Sequence, residues 1–236
     1  MKLQKLSLFG AVAGALILTA AFAPRANAAL IVYYNFEDST LGGPPDFTST
    51  GDLGLQHPTM TTNYNAANMT SVAGLALNRP ATDPDPNLLG LGLSKSKNND
   101  PSFFQFTVDT TLATNMSLSF GVNNNGNGFS TVAFSYSING GTSFVADGSH
   151  TILNSSSVVT FAVPAGADGQ ASVIMRLTFS GGQSNGTDLQ TQIDNVQLNG
   201  TVVPEPATVV GGLLGACALC WHQRRRLIRS LRLRRA

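Results

Sequence analysis

Cysteine, tryptophan, glutamate and lysine are nearly missing from the long middle of this 236-residue chain. Residues 29–202 contain no cysteine and no tryptophan, one glutamate (Glu37) and two lysines (Lys95 and Lys97). Without cysteine there can be no disulfide framework, whatever the redox state of the surroundings. Without Glu and Lys the surface lacks strong helix formers, whereas Ser, Thr, Asn, Gly and Val abound, so the composition favours strands and polar loops. Positive charge is scarce too. Arg79, Lys95, Lys97 and Arg176 face Glu37 and eleven aspartates, a net charge of −8 for this stretch. The whole-chain value of +1 conceals that imbalance. An acidic surface disfavours nucleic acid and anionic lipid, and it tolerates divalent cations.

What the middle lacks, the two ends supply. Lys2 and Lys5 precede an apolar run from Leu6 to Phe22, and Ala26-Asn27-Ala28 forms a small-x-small cleavage site. Residues 1–28 therefore read as a secretory signal peptide, with the mature chain beginning at Ala29 or Leu30. An uncleaved anchor is the alternative, disfavoured by the short apolar core. At the other end, Val203-Pro204-Glu205-Pro206 is followed by an apolar stretch from Ala207 to Trp221 and a basic tail, 222–236. That tail holds seven arginines, beginning with Arg224, Arg225 and Arg226. Fifteen helical residues span about 22 Å, short of a hydrocarbon core of about 30 Å, a deficit that snorkelling arginines relieve. Positive charge beside such a stretch stays on the cytoplasmic side, so Arg224, Arg225 and Arg226 are expected to stop the span. The two prolines hold Glu205 in an extended, helix-incompatible segment.

The ordered trio of Pro204-Glu205-Pro206, apolar stretch and arginine cluster resembles a PEP-CTERM sorting domain. The resemblance covers the last 33 or so residues and none of the middle. It implies that an exosortase of a Gram-negative bacterium recognises this end, after the general secretion machinery and signal peptidase have handled the other. It further implies transient anchoring in the inner membrane through the C-terminal helix, then release to the cell surface or an exopolysaccharide matrix.

The middle reads as strands. From Ala171 to Phe179 the odd positions are Ala, Val, Met, Leu and Phe, while Ser172, Arg176 and Thr178 take the other face, the period of a half-buried strand. Similar alternation marks Phe104-Phe106-Val108, Met116-Leu118-Phe120, Val132 to Ile138 and Val159-Phe161-Val163. Opening and closing runs, Leu30–Phe36 and Gln192–Leu198, complete the set. Asn139-Gly140-Gly141 predicts a hairpin, and Asn123–Gly128 predicts a loop. Residues 38–100, with Pro44-Pro45, Pro80 and Pro84-Asp85-Pro86, read as loops with one or two short strands. The expectation is an all-β, jelly-roll-like sandwich over 29–202, flanked by a signal-peptide helix and one transmembrane helix. Phe134 to Gly141 and Ile193 to Leu198 resemble the hairpin and last strand of galactose-binding-like and carbohydrate-binding-module-like sandwiches. That resemblance implies a fold and no activity.

Chemistry is sparse. Gly182-Gln183-Ser184-Asn185-Gly186 matches the G-x-S-x-G nucleophile elbow, but no helix is expected after it, and His57 and His150 both precede the serine. A single glutamate leaves no convincing carboxylate pair for glycoside hydrolysis. Cys217-x-x-Cys220 lies in the apolar stretch, where small fillers are the expected role. Asp83-x-Asp85-x-Asn87 lacks the glycine of a calcium-binding EF-hand loop. Calcium fits better on Glu37, Asp38 and Asp194, on terminal strands expected to be neighbours. If Val196 and Leu198 face inward so does Asp194, a conflict that a bulge, a buried hydrogen bond or a metal would resolve. Sugar stacking would use exposed rings among Tyr33, Tyr34, Tyr64, Phe103 and Phe129, with Phe129 in its glycine loop the foremost candidate for exposure, while core packing is the expected role of most of them. The expected function is that of a non-catalytic, exosortase-processed surface or matrix protein associated with exopolysaccharide. A carbohydrate-binding module is the alternative, and a glycan-active hydrolase comes third.

Overall fold

The computed structural model describes residues 27–37, 41–44, 47, 54–81, 83, 89–202, 212, 214–215, 217–222 and 224. The leader up to residue 26, Asp38, the sorting residues Pro204, Glu205 and Pro206, and Arg225 and Arg226 lie outside them. Residues Asn27–Val202 form one compact unit. Its strands, among the described residues, are β1 (Asn27–Tyr34), β2 (Thr61–Thr62), β3 (Met69–Ala73), β4 (Leu89–Leu93), β5 (Ser102–Val108), β6 (Ala113–Asn124), β7 (Thr131–Ser137), β8 (Val145–Thr151), β9 (Ser157–Ala162), β10 (Val173–Ser180) and β11 (Thr191–Val202).

Two antiparallel sheets face each other. One runs β3-β4-β11-β6-β9, with β1 also paired to β11; the other runs β2-β5-β10-β7-β8. The first and last strands pair, Val32 opposite Leu198 and Tyr34 opposite Val196, as expected of a jelly-roll-like closure. The alternation read from the sequence decides what lies between the sheets. Val173, Met175, Leu177 and Phe179 of β10 point inward and are almost wholly buried. They meet Leu118, Phe120 and Val122 of β6 within one continuous core. Phe179 sits at its aromatic centre, with Phe104 and Phe129 at 5.8 Å and Phe120 at 6.1 Å. Each fully buried ring contributes about 1.5–3 kcal/mol from burial, and each tilted or edge-on pair adds about 0.5–1.5 kcal/mol.

The expected β7–β8 hairpin forms, with Gly140 and Gly141 at positive φ (67° and 84°) where a β-carbon would be strained. Among the described residues, 38–100 hold three short strands, β2, β3 and β4, where one or two were expected. Of these, β4 reads Leu89-Gly90-Leu91-Gly92-Leu93. Leu91 and Leu93 fill the core, and the glycines face outward. A β-carbon on Gly90 would lie 2.9 Å from Nε2 of Gln192 and 3.2 Å from the Asp194 carboxyl, so the small residues make room for side chains of β11.

At the C-terminus the described residues from 212 to 224 are helical, and Cys217, Cys220 and Trp221 are exposed. No helix among the described residues is long and apolar enough to cross a membrane. The expected span 207–221 lies partly outside those residues.

Candidate functional site

The two outer faces of the sandwich carry the polar chemistry. On the six-stranded sheet, β11 bulges between Asp194 and Gln197, with Asn195 in the left-handed region at φ 52°. The extra residue breaks the inward parity. Ile193 faces the core, Asp194 faces out, and Val196 and Leu198 face in again. The conflict seen in the sequence is thus resolved by a bulge and by buried hydrogen bonds together. Asp194 Oδ1 accepts from Asn195 N at 2.8 Å, and Oδ2 accepts from Leu75 N at 2.6 Å.

Leu75 belongs to a strap, residues 73–81 and Asp83, that lies over this outer face. Asn195 Nδ2 donates to Leu75 O (2.8 Å) and Leu77 O (3.0 Å). Gln192 and Gln197 donate to Ala73 O and Asn78 O, and Asn78 Nδ2 donates to Asn195 O at 2.8 Å. The Tyr33 hydroxyl meets Asp83 Oδ2 at 2.8 Å and also Asn195 Oδ1. Arg79 Nε pairs with the same Asp83 oxygen at 3.2 Å, and the Asp83 side chain is wholly buried. Gly121 permits the approach, since a β-carbon there would come within 3.2 Å of Leu77 O.

Burial raises the pKa of Asp194 to about 7. The two backbone donors and Arg79 oppose that shift, and Asp83 adds to it. Tyr33 is held far above the ordinary phenol value, first by burial and then by its bond to Asp83. Asp194 and Glu37, both buried, also act on that phenol electrostatically. Among the described residues, no group of three His, Cys, Asp or Glu side chains stands together as a metal site, and Asp38 is not one of those residues.

The outer face of the five-stranded sheet has no strap among the described residues. The alternation that buries Met175 turns Arg176 outward. Arg176 lies opposite Gln105 on β5 and Ser135 on β7, and Thr61 on β2 lies opposite Gln105. A polar row Thr61, Gln105, Arg176, Ser135 therefore crosses four strands, roughly 14 Å at the usual strand spacing. Beside it Phe103 projects outward opposite Thr178. The β7–β8 loop brings a second ring, Phe144. The Arg176 guanidinium lies over both, 4.4 Å from the Phe103 centroid and 3.5 Å from that of Phe144. Its Nε donates to Gln105 Oε1 at 2.8 Å. Desolvation pushes its pKa down, and an arginine remains charged regardless.

Of the five rings weighed for sugar stacking, most of them expected to pack in the core, only Phe103 reaches solvent, and it is half-buried. Tyr33 is sealed by the strap. Tyr34 and Tyr64 are core residues, their hydroxyls on Pro58 O and Ser94 O. Phe129, expected to be the most exposed, is wholly buried. Asn124 explains this: its Oδ1 accepts from Gly126 N and Gly128 N while its Nδ2 donates to Phe129 O, folding the glycine loop inward. Sequence reasoning did not count Phe144 among the rings it singled out. It placed Arg176 on the outward face through the alternation of β10.

The nucleophile-elbow match falls in the loop between β10 and β11, which crosses from one sheet to the other. Ser184 Oγ accepts from Gly186 N at 3.0 Å, no helix follows, and His150 is bonded elsewhere, to Thr160 O.

No family model matches the chain. No curated protein matches it either. Among solved structures it is similar to the K1 cleaved adhesin domain of Lys-gingipain from Porphyromonas gingivalis W83, at 14% identity and a TM-score of 0.40, covering 73% of this chain and 97% of that one. It is also similar to a family 6 carbohydrate-binding module (12% identity, TM-score 0.38, 74% and 95% covered). A third is TmCBM61, solved in complex with β-1,4-galactotriose (10% identity, TM-score 0.36, 59% and 86% covered). At such identities and scores, the function of this chain has to be read from its own residues.

Proposed function

We propose that this protein is a non-catalytic carbohydrate-binding protein of the cell surface or extracellular matrix, exported and then processed by an exosortase. One observation carries the binding reading: two outward rings, Phe103 and Phe144, stand beside a row of polar side chains on a sheet face that no described segment covers. Sugars present apolar ring faces and hydroxyl edges, and a binding surface serves them with aromatic rings and fixed donors and acceptors side by side. The export reading rests on the sequence at both ends, and it places that face where polysaccharide is found. A structural calcium on Glu37, Asp38 and Asp194 belongs to the same proposal. It is supported by the burial of Glu37 and Asp194, both of which act electrostatically on the Tyr33 phenol.

Affinity electrophoresis of the purified protein through gels containing neutral or acidic polysaccharides tests the binding reading. Retardation by at least one polymer, lost in Phe103→Ala/Phe144→Ala, is the expected result. Equal mobility in every gel refutes it. Mass spectrometry of material released from the host surface tests the export reading, which expects the arginine tail to be absent.

A further inference from the structure

Arg176 is a charge in an unusual position. Among the described residues the single ion pair is Arg79–Asp83, so no described carboxylate neutralises Arg176. Its Nε is committed to Gln105. Neither Nη has a hydrogen-bond partner among the described residues, and the group is held flat by two rings. A half-buried guanidinium oriented by a hydrogen bond and by stacking, with its outer N–H edge unused, has lost most of the entropy that binding would otherwise remove. That edge is complementary to a planar oxyanion, which it can meet with two parallel N–H···O bonds. Hydroxyl recognition alone would not need a cation; Gln105 and Ser135 could supply it.

We propose that this face recognises a carboxylate carried on a sugar ring, a uronate, with Arg176 as the residue that contacts it. The inference rests on the carbohydrate-binding reading and names its substrate class. The surroundings narrow it further. Residues 29–202 carry a net charge of −8, which opposes a densely anionic polymer. The charge pattern therefore matches uronates spaced among neutral sugars. Phe103 and Phe144, both only half-buried, are the rings that stack on the neutral neighbours.

Deacylated gellan, which carries isolated glucuronates, is the probe. The full-length protein is titrated with it, with its carboxyl-reduced form and with dextran sulfate, for wild type, Arg176→Gln and Arg176→Lys. Wild type is expected to bind gellan at least about tenfold more tightly than the reduced polymer. Arg176→Gln is expected to lose that preference and bind both forms equally. Arg176→Lys keeps the charge without the fork and is expected to recover only part of it. Melting curves of both variants check that the fold is retained. Equal binding of native and reduced gellan by wild type, or undiminished gellan binding by Arg176→Gln, overturns the inference and leaves the carbohydrate-binding reading standing. Arginine-dependent binding of dextran sulfate without gellan overturns the carboxylate assignment. Binding of no polymer at all, charged or neutral, overturns both.

Discussion

The two outer faces of this sandwich are built from similar polar residues and end in opposite conditions. On the six-stranded sheet Gln192, Asp194, Asn195 and Gln197 are bonded to the backbone of the strap, and Tyr33 beneath it is wholly buried. On the five-stranded sheet Gln105, Arg176 and Ser135 remain at the surface, and the rings beside them are half-buried. The difference lies in the small residues. Gly90 and Gly121 let backbone and side chains come down onto the first sheet, where every strap carbonyl that meets a side-chain amide is satisfied. The second sheet carries Phe103, Gln105, Arg176 and Thr178 on its outer face, with no glycine among them. Polar groups satisfied within the chain serve stability, whereas those still exposed are available to a ligand.

The sharpest break in that comparison comes from Asn195→Ala. It leaves the Leu75 and Leu77 carbonyls without their donor, removes an acceptor from Tyr33, and puts alanine at a positive φ. Partly buried groups left unpaired cost about 1 kcal/mol each, and the backbone adds about 1 kcal/mol, so a loss of about 3 kcal/mol is expected in urea denaturation.

Asp194 sharpens the comparison through pH. Its folded pKa of about 7 lies above the ordinary carboxylate value of about 4, so the folded state holds the proton more tightly. The stability from this group is full below about pH 4 and is lost as pH rises to about 7. The urea midpoint should carry a component that declines across that window and levels off above it, and Asp194→Asn should lack it. Calcium at Glu37, Asp38 and Asp194 would favour the ionised form instead. In that case the melting midpoint at pH 8 rises with calcium and falls with chelator in wild type and not in Asp194→Asn, whereas an unchanged midpoint removes calcium from the proposal.

The smallest effect on stability is expected on the open face. Arg176→Gln gives up a stack on two rings and one partly buried hydrogen bond, which should cost about 1 kcal/mol by the same urea assay. A loss near that of Asn195→Ala would mean that Arg176 is a structural element and would erase the contrast between the faces.

Much of the fold was legible because a half-buried strand announces itself by alternation. β5, β6, β7, β9, β10 and β11 were all readable, as was the β7–β8 hairpin from Asn139-Gly140-Gly141. β4 was not, because its outward positions are glycines whose purpose lies in other strands: room for Gln192 and Asp194. Phe129 was misplaced because glycine-loop composition suggests exposure, while the bonds of Asn124 that turn it inward depend on the folded loop. Of the open-face site, the alternation delivered Phe103, Gln105 and Arg176 to one side, but their meeting with Phe144 needed the register of β5 on β10 and the path of the hairpin loop.

By itself, then, the sequence determined the all-β character, the acidic charge of the middle and the inward face of most strands, because each follows from composition or from a local period of two. The tertiary structure alone decided which polar residues are used up and which stay open. That outcome depends on a bulge that reverses one strand's parity and on a distant loop that settles over one sheet and not the other, and neither is encoded in the residues that it affects.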